Sequence, residues 1–299
     1  MQIPRIFVEA AAIDVQSRVV TIADPAICKQ LVNVLRMRKG ERIDILDGGG
    51  CIYFCTLDDL EKNRGRCTAT INRYEQATGE PSIKLAVAMP LLKSGRFEWA
   101  IEKLTELGVT EIIPIESERS VVQVSEKSSK PSAEEQKLKR WSAIAREAAE
   151  QCERALIPKV VWPVKLEKFL QDYRSRSGGL VICAERKQAQ SLPALLANPA
   201  SRAAMAAHSS PAAGGTDSGQ APAPKGPGSA DSAQAPSTAT TSREPSLVVL
   251  IGPEGGFTEN EFDLAEKAGA MPVTLGKRIL RSETAAVYAA SLIIGCLDK

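Results

Sequence analysis

Histidine is almost missing from this chain of 299 residues: there is one, His208, and it falls in a stretch with no core-forming neighbours. That argues against nucleophile activation by imidazole and against histidine-ligated zinc, and no metal is expected. Cysteine is present without organisation. The seven thiols, at positions 28, 51, 55, 67, 152, 183 and 296, form no CxxC pair and no framework spacing, so reduced and mostly buried thiols are expected. An excess of one charge is lacking too. The 38 Lys and Arg against 36 Asp and Glu leave a formal +2, too mild by itself to point to nucleic acid. The longest apolar runs, 247–251 and 285–294, are far shorter than the roughly 20 residues of a membrane span. Residues 1–12 have no basic segment leading into an apolar core and a small-residue cleavage site, the marks of a secretory signal. A cytoplasmic protein with no membrane partner is the expectation.

What is present divides near residue 79. Before it, short strands read at 5–8, 19–22, 42–46, 52–57 and 67–71, separated by turn formers such as Lys39-Gly40 and Gly48-Gly49-Gly50, the pattern of a small β-barrel. A helical piece at 26–35 interrupts them and runs into Arg36-Met37-Arg38-Lys39, a basic helix end suited to phosphate. After the punctuation of Gly79-Glu80-Pro81, strands alternate with helices, as in an α/β layer with mainly parallel strands. Strands are expected at 83–89, 111–115, 159–162, 180–184, 247–251 and 272–275. Helices are expected from the cap Ser94 to Gly108, at 133–153, at 192–196, from Thr258 and from Thr284. From 197 to 246 there is no Leu, Ile, Val, Phe, Tyr or Trp. Such a segment buries too little apolar surface to offset its ordering entropy, so a disordered low-complexity insertion inside one domain is expected. The expected division is a barrel over 1–76 and an α/β domain over 80–299.

The chemistry concentrates in the last quarter, where two strands are each followed by a loop and a helix. Ligands of open α/β sheets sit at that edge. In the first loop, Gly252-Pro253-Glu254-Gly255-Gly256-Phe257, glycines permit close backbone approach while proline stiffens the turn. A phosphate cradle is a poor fit, because GxxxxGK[ST] and GxGxxG are absent and Glu254 would repel the ligand. The helix that follows opens with a capping box, Thr258 with Glu261. In the second loop, Leu275-Gly276-Lys277-Arg278-Ile279-Leu280-Arg281-Ser282-Glu283-Thr284-Ala285, apolar side chains can wall a flat ring while backbone groups read its edge. The helix beyond is rich in small residues (Ala285, Ala286, Ala289, Ala290, Ser291) that permit close approach of another backbone, within the chain or across a dimer.

With Glu102-Lys103-Leu104-Thr105-Glu106-Leu107-Gly108, Glu118-Arg119-Ser120 and Glu147-Ala148-Ala149-Glu150-Gln151-Cys152-Glu153-Arg154, these loops make the chain similar to the RsmE family. The likeness runs in order over all but the 197–246 insertion. That family methylates N3 of one uracil in 16S rRNA of the small ribosomal subunit. The resemblance implies a trefoil-knotted SPOUT methyltransferase domain preceded by a PUA-like β-barrel for RNA, a homodimer, and S-adenosyl-L-methionine as cofactor. It implies a cofactor pocket of Leu250, Gly252, Pro253, Glu254, Gly255, Gly256, Leu275, Gly276, Ile279, Leu280, Arg281, Thr284 and Ala285. In the barrel, Arg5 and Leu31-Val32-Asn33-Val34-Leu35-Arg36 match the family, whereas Cys28-Lys29-Gln30 stand where it usually has a histidine.

Methyl transfer to an imide nitrogen is mostly positioning and electrostatics, with help in removing a proton. On this reading Arg281 stabilises the deprotonated uracil or orients the base, since a guanidinium is a fixed donor and a poor proton acceptor, and Glu283 is the candidate for proton removal. Arg5, Arg36, Arg38, Lys93 and Arg119 are the expected RNA contacts, where charge positions the backbone without specifying sequence. Two other classes fit less well. A nicotinamide oxidoreductase would want GxGxxG and an acidic ribose ligand, and a non-catalytic ribosome-binding protein would tolerate loss of the two C-terminal loops, which are intact.

Overall fold

The computed structural model describes residues 3–61, 65–93, 95–122, 131–173, 178–184, 187, 189–201 and 247–298. Ser94, His208 and most of the low-complexity segment lie outside them.

The first sheet has six strands in the order β1-β4-β5-β6-β3-β2. They are β1 (Arg5–Phe7), β2 (Ile13–Asp14), β3 (Val19–Ile22), β4 (Arg42–Leu46), β5 (Cys51–Glu61) and β6 (Arg66–Gln76). Alternation turns Ile6, Val20, Ile22, Ile43, Ile45, Cys55, Leu57, Cys67, Ala69 and Ile71 into one core, so the sheet curls around its own side chains. Two register shifts in the long β5–β6 hairpin, at Phe54/Cys55 and Leu57/Asp59, supply the bend. The helix expected at 26–35 is a shorter one. Asp24 caps the helix α1 (Pro25–Lys29) through its side chain, with proline at the first position. The chain then widens into a π-helical turn over Gln30–Val34 and leaves through Arg36 at φ 53. Arg36 and Arg38 are exposed while Met37 between them is buried.

The second sheet is parallel throughout its ladders, in the order β10-β8-β7-β13-β11-β14-β12, with β9 beside β8. Its strands are β7 (Leu85–Pro90), β8 (Glu111–Glu116), β9 (Lys159–Val160), β10 (Val164–Lys165), β11 (Gly179–Cys183), β12 (Gln190–Ser191), β13 (Leu247–Leu250) and β14 (Ala270–Thr274). The strand expected at 159–162 is shorter, ending at Val160, and β10 begins just after Pro163, which lacks an N–H for the ladder. The helices are α2 (Arg96–Glu106), α3 (Pro131–Gln151), α4 (Leu166–Tyr173), α5 (Leu192–Ala197), α6 (Glu259–Lys267) and α7 (Ser282–Leu297).

Both faces of this sheet are covered, which is why its strands read as unbroken apolar runs. Leu85, Val87, Met89, Val181, Leu247 and Val249 face one layer with α2, α3, α5 and α7. Ala86, Ala88, Leu180, Ile182, Val248 and Leu250 face the other, with α4 and α6. Each fully buried Leu, Ile or Val contributes about 1.5–3 kcal/mol, so burial far outweighs any single polar contact here. The small-residue helix packs within the chain. Ala285, Ala286, Ala289 and Ala290 are all buried, against α2, α5 and β7. Helix α4 is the one element of full length that pattern reading passed over, although Leu166, Phe169, Leu170 and Tyr173, all buried, have helical spacing.

The two sheets meet through the end of α3. Phe7, Leu46 and Ile52 pack on Ala149 and Ala155, Arg146 donates to the carbonyl of Phe7, and Arg5 donates to the carbonyl of Glu153 at 3.1 Å. Arg154, buried to 6 % exposure, pins the connection between the sheets. Its Nη2 and Nε reach Glu80 at 2.7 and 3.1 Å, and its Nη1 donates to the carbonyls of Thr105 and Val109. Removing one member of such a pair leaves a buried charge and open carbonyls. Arg154→Ala should therefore lower unfolding free energy by about 3–5 kcal/mol, read as a shift of the urea midpoint.

A second expectation concerns alkaline pH. Burial pushes the thiols of Cys55 and Cys67 up to about 12, against about 8.5 for an exposed thiol. Between those values the unfolded chain binds fewer protons than the folded one, so stability is lost as pH rises. The urea midpoint should fall from pH 8 to pH 10.5, and Cys55→Ala should flatten that fall.

Candidate functional site

Because β7, β8, β11, β13 and β14 are parallel, their C-terminal ends leave the sheet at one edge, and the connections that follow them gather there. β13 ends at Leu250, and the chain turns through Gly252 to Phe257 into α6, whose start is fixed by a complete capping box between Thr258 and Glu261. Gly252 is close to the ring of Phe257: a Cβ there would meet it at 3.3 Å, so this turn tolerates no larger residue without displacing the ring. β14 ends at Thr274, and Gly276 follows at φ 116, a conformation that side chains disfavour. Thr274 and Gly276 close this turn on each other, with the Gly276 N–H donating to Thr274 Oγ1 at 3.2 Å.

A narrow cleft opens between the two loops. It is lined by Cys183, Ala184, Ile251, Gly252, Thr274, Leu275, Gly276, Arg278, Leu280 and Ala285. A second cleft of about 220 Å³ shares Cys183, Ala184 and Gly252 with it and continues past Glu254, Gly255, Gly256, Phe257, Phe262, Arg119 and Lys187. The first is walled by aliphatic side chains with main-chain groups at its rim. The second carries two cations, the carboxylate of Glu254 and two aromatic rings, with Lys187 Nζ 3.8 Å above the ring of Phe262. A flat, partly apolar ligand suits the first, and a ring-bearing one the second.

Five contacts stitch the loops. Ser282, buried at the start of α7, donates to the carbonyl of Gly252 at 2.7 Å. Arg119, after β8, donates to the carbonyl of Gly255 at 3.0 Å, and the neighbouring Glu118 N–H donates to Glu261 at 2.7 Å. Arg96, the first residue of α2, lies 3.3 Å from Glu254 and 3.6 Å from Glu283. Glu283 is 6 % exposed. One of its oxygens faces Arg96, and the other, Oε2, has no hydrogen-bond partner.

Of the residues expected at a pocket, Gly252, Leu275, Gly276, Leu280 and Ala285 line the first cleft, and Glu254, Gly255 and Gly256 the second. Leu250 is sealed inside the sheet and Pro253 is buried, whereas Ile279 points outward at 64 % exposure. Arg281 and Thr284 are exposed at the start of α7. Arg281 and Glu283, neighbours in sequence, do not pair; the partner of Glu283 is Arg96. Among the expected RNA contacts, Arg119 belongs to this site and Lys93 is exposed in the connection from β7 to α2. Arg5, Arg36 and Arg38 belong to the first sheet, where Arg5 already pairs with Asp44 at 3.5 Å and Glu153 at 3.4 Å.

The pocket expected from sequence left out Cys183, Ala184, Ile251, Thr274 and Arg278 of the first cleft, and Arg96. Cys183 ends β11 and Ala184 follows it, and β11 lies between β13 and β14 only in space. Arg96 did carry a signal, a cation at a helix start, where the macrodipole disfavours it.

The family described as RNA methyltransferase domain matches residues 79–208 and 227–294. The one described as RNA methyltransferase PUA domain matches residues 31–69. The ribosomal RNA small subunit methyltransferase E of Synechocystis sp. is 32 % identical over 270 residues, covering 90 % of this chain and 71 % of that protein. Its namesake from Bacillus subtilis is 29 % identical over 88 % of this chain and 85 % of its own. A crystal structure of the Neisseria gonorrhoeae ribosomal RNA small subunit methyltransferase E, bound to S-adenosyl methionine, aligns with a TM-score of 0.69 at 26 % identity. It covers 97 % of this chain and 96 % of its own.

The Ser282 bond gives a direct test of how far the two loops depend on each other. Ser282→Ala leaves the Gly252 carbonyl buried without its donor and should cost about 1–3 kcal/mol, measured by urea titration of the full chain.

Proposed function

Since the chain belongs to the ribosomal RNA small subunit methyltransferase E family, we propose that it methylates N3 of a specific uridine in 16S rRNA. It is an S-adenosylmethionine-dependent rRNA methyltransferase of the small subunit. The observation that carries this reading is the narrow aliphatic cleft held between the Gly252 and Leu275 loops at the C-terminal edge of a parallel sheet.

The residues present fit the cofactor. Ile251, Leu275, Leu280 and Ala285 offer walls for a flat heterocycle, and the main chain at Gly252 and Gly276 lies at the rim where its polar edge can be read. When bound, S-adenosylmethionine supplies an electrophilic methyl group on sulfur. The protein's own contribution is placement and charge. Arg281, exposed at the mouth of α7, donates to the negative charge that develops on the uracil when its imide proton leaves. Glu283 is the proposed proton acceptor, supported by its one oxygen without a partner.

Arg36, Arg38, Lys93 and Arg119 are the proposed contacts to the RNA backbone. Arg5, engaged with Asp44 and Glu153, is proposed as a further contact on the first sheet. The domain division at 1–76 and 80–299 is part of the same reading, supported by two sheets with separate cores. So is the SPOUT knot, supported by the way 275–285 returns against the Gly252 loop. A homodimer is proposed as well, for which Trp99 and Tyr288 leave large apolar surface exposed. No helix among the described residues is long and apolar enough to cross a membrane, in keeping with the proposed work on ribosomal subunits in the cytoplasm.

The test is incubation with methyl-labelled S-adenosylmethionine and small ribosomal subunits lacking their base methylations, followed by nucleoside digestion and mass analysis. Label in 3-methyluridine is the expected result, and label in another nucleoside overturns the assignment to N3. Arg281→Ala should lower turnover by about 10²–10³-fold while cofactor affinity, measured by calorimetry, stays unchanged. Unaltered turnover would remove Arg281 from the mechanism.

A further inference from the structure

Arg96 is in an unfavourable place for helix stability. It opens α2, where the exposed N–H groups repel a cation, and its side chain is about two-thirds covered, with 36 % exposure. What offsets this is a pair of carboxylates from two other connections of the same sheet edge. Glu254 comes from the loop after β13 at 3.3 Å, and Glu283 from the first turn of α7 at 3.6 Å. One guanidinium thus spans both loops that wall the cofactor cleft. Both contacts engage Nη1, and both are longer than a tight charged hydrogen bond, so they hold by charge and can adjust. Glu283 is the buried partner. With Oε1 turned to Arg96, its Oε2 is left without a donor, an expensive state for a carboxylate oxygen unless something else supplies one.

We propose that Arg96 is a positioning residue for methyl transfer. It holds the buried Glu283 in place at the first turn of α7 through one carboxylate oxygen, and through Glu254 it fixes the glycine loop in register with α7. The inference rests on the methyltransferase reading. Arg96 touches neither substrate nor cofactor in this scheme; it acts through the two carboxylates.

The test uses the full chain and three variants, Arg96→Met, Arg96→Lys and Glu254→Gln. Amide hydrogen exchange reads the brace without any reaction. Arg96→Met should speed exchange at residues 254–256 and 282–285 together, by about tenfold, with other segments unchanged. Single-turnover methyl transfer should fall about tenfold or more in the same variant, with kcat falling more than KM rises. Arg96→Lys keeps the charge but not the fork and should recover part of both. Should Arg96→Met fail to fold, Glu254→Gln, which removes one of the two contacts, should speed exchange at 254–256 alone. Unchanged exchange at both segments overturns the proposal, as does faster exchange with wild-type turnover. If the wild-type protein transfers no methyl group to RNA, the functional reading fails, and the exchange data still decide whether Arg96 braces the loops.

Discussion

Parallel pairing of the second sheet is the constraint on which the site depends. β8, β7, β13, β11 and β14 are neighbours in that order, parallel strands that point the same way and so leave the sheet at the same end. All five exits lie at one edge. Residues near 96, 119, 183, 254 and 282, far apart in the chain, are brought together because their strands end side by side. No polar contact had to recruit them. The burial of Leu85, Val87, Val181, Val249 and their neighbours does that, and it is larger than the energy of everything polar at the edge.

What the polar contacts do is narrower. A loop positioned only by the strand before it can swing, and two loops that must close on one ligand cannot both swing freely. Ser282 ties the start of α7 to Gly252, Arg119 ties the β8 connection to Gly255, and Arg96 ties the β7 connection to both carboxylates. A net hydrogen bond is worth only about 0.5–1.5 kcal/mol and an exposed ion pair less, so none of these ties is needed to keep the sheet folded. Their consequence is that the cleft keeps one shape. The buried Arg154 is a different case. It locks Glu80 and the carbonyls ending α2 where the chain passes from one sheet to the other, and its loss would be felt as stability.

Elements with a local signal were legible in the residues. β3 and β4 fall where alternation and turn formers placed them, and the capping box of α6 and the two loops after β13 and β14 follow from residue types alone. The π-helical turn after α1 was not legible, because Gln30 to Val34 are ordinary helix residues and their widening depends on Leu31 and Met37 both reaching the barrel core. Helix α4 had the right spacing but is only eight residues long, near the limit at which a pattern separates from chance. Strand order is a different kind of information. Nothing in 180–184 says that this strand lies between two others some 60 and 90 residues further on, so Cys183 and Ala184 were invisible as cleft residues. The same holds for Arg96, whose meaning depends on carboxylates from two distant loops.

The low-complexity stretch fits the same geometry. α5 ends at Ala197, and the chain next pairs at Leu247, the first residue of β13. In a parallel sheet a strand begins at the edge opposite its exit, so these residues join the fold on the side away from the site. Closing a longer connection there costs only about 0.6 kcal/mol for each doubling of its length. β13 pairs with β7 and β11 over its whole length, with all four of its residues buried, which exceeds that cost. The same stretch inserted after β13, between Leu250 and Thr258, would separate the glycine loop from Ser282 and Arg96. Length is tolerated where strands begin, and residue identity matters where they end.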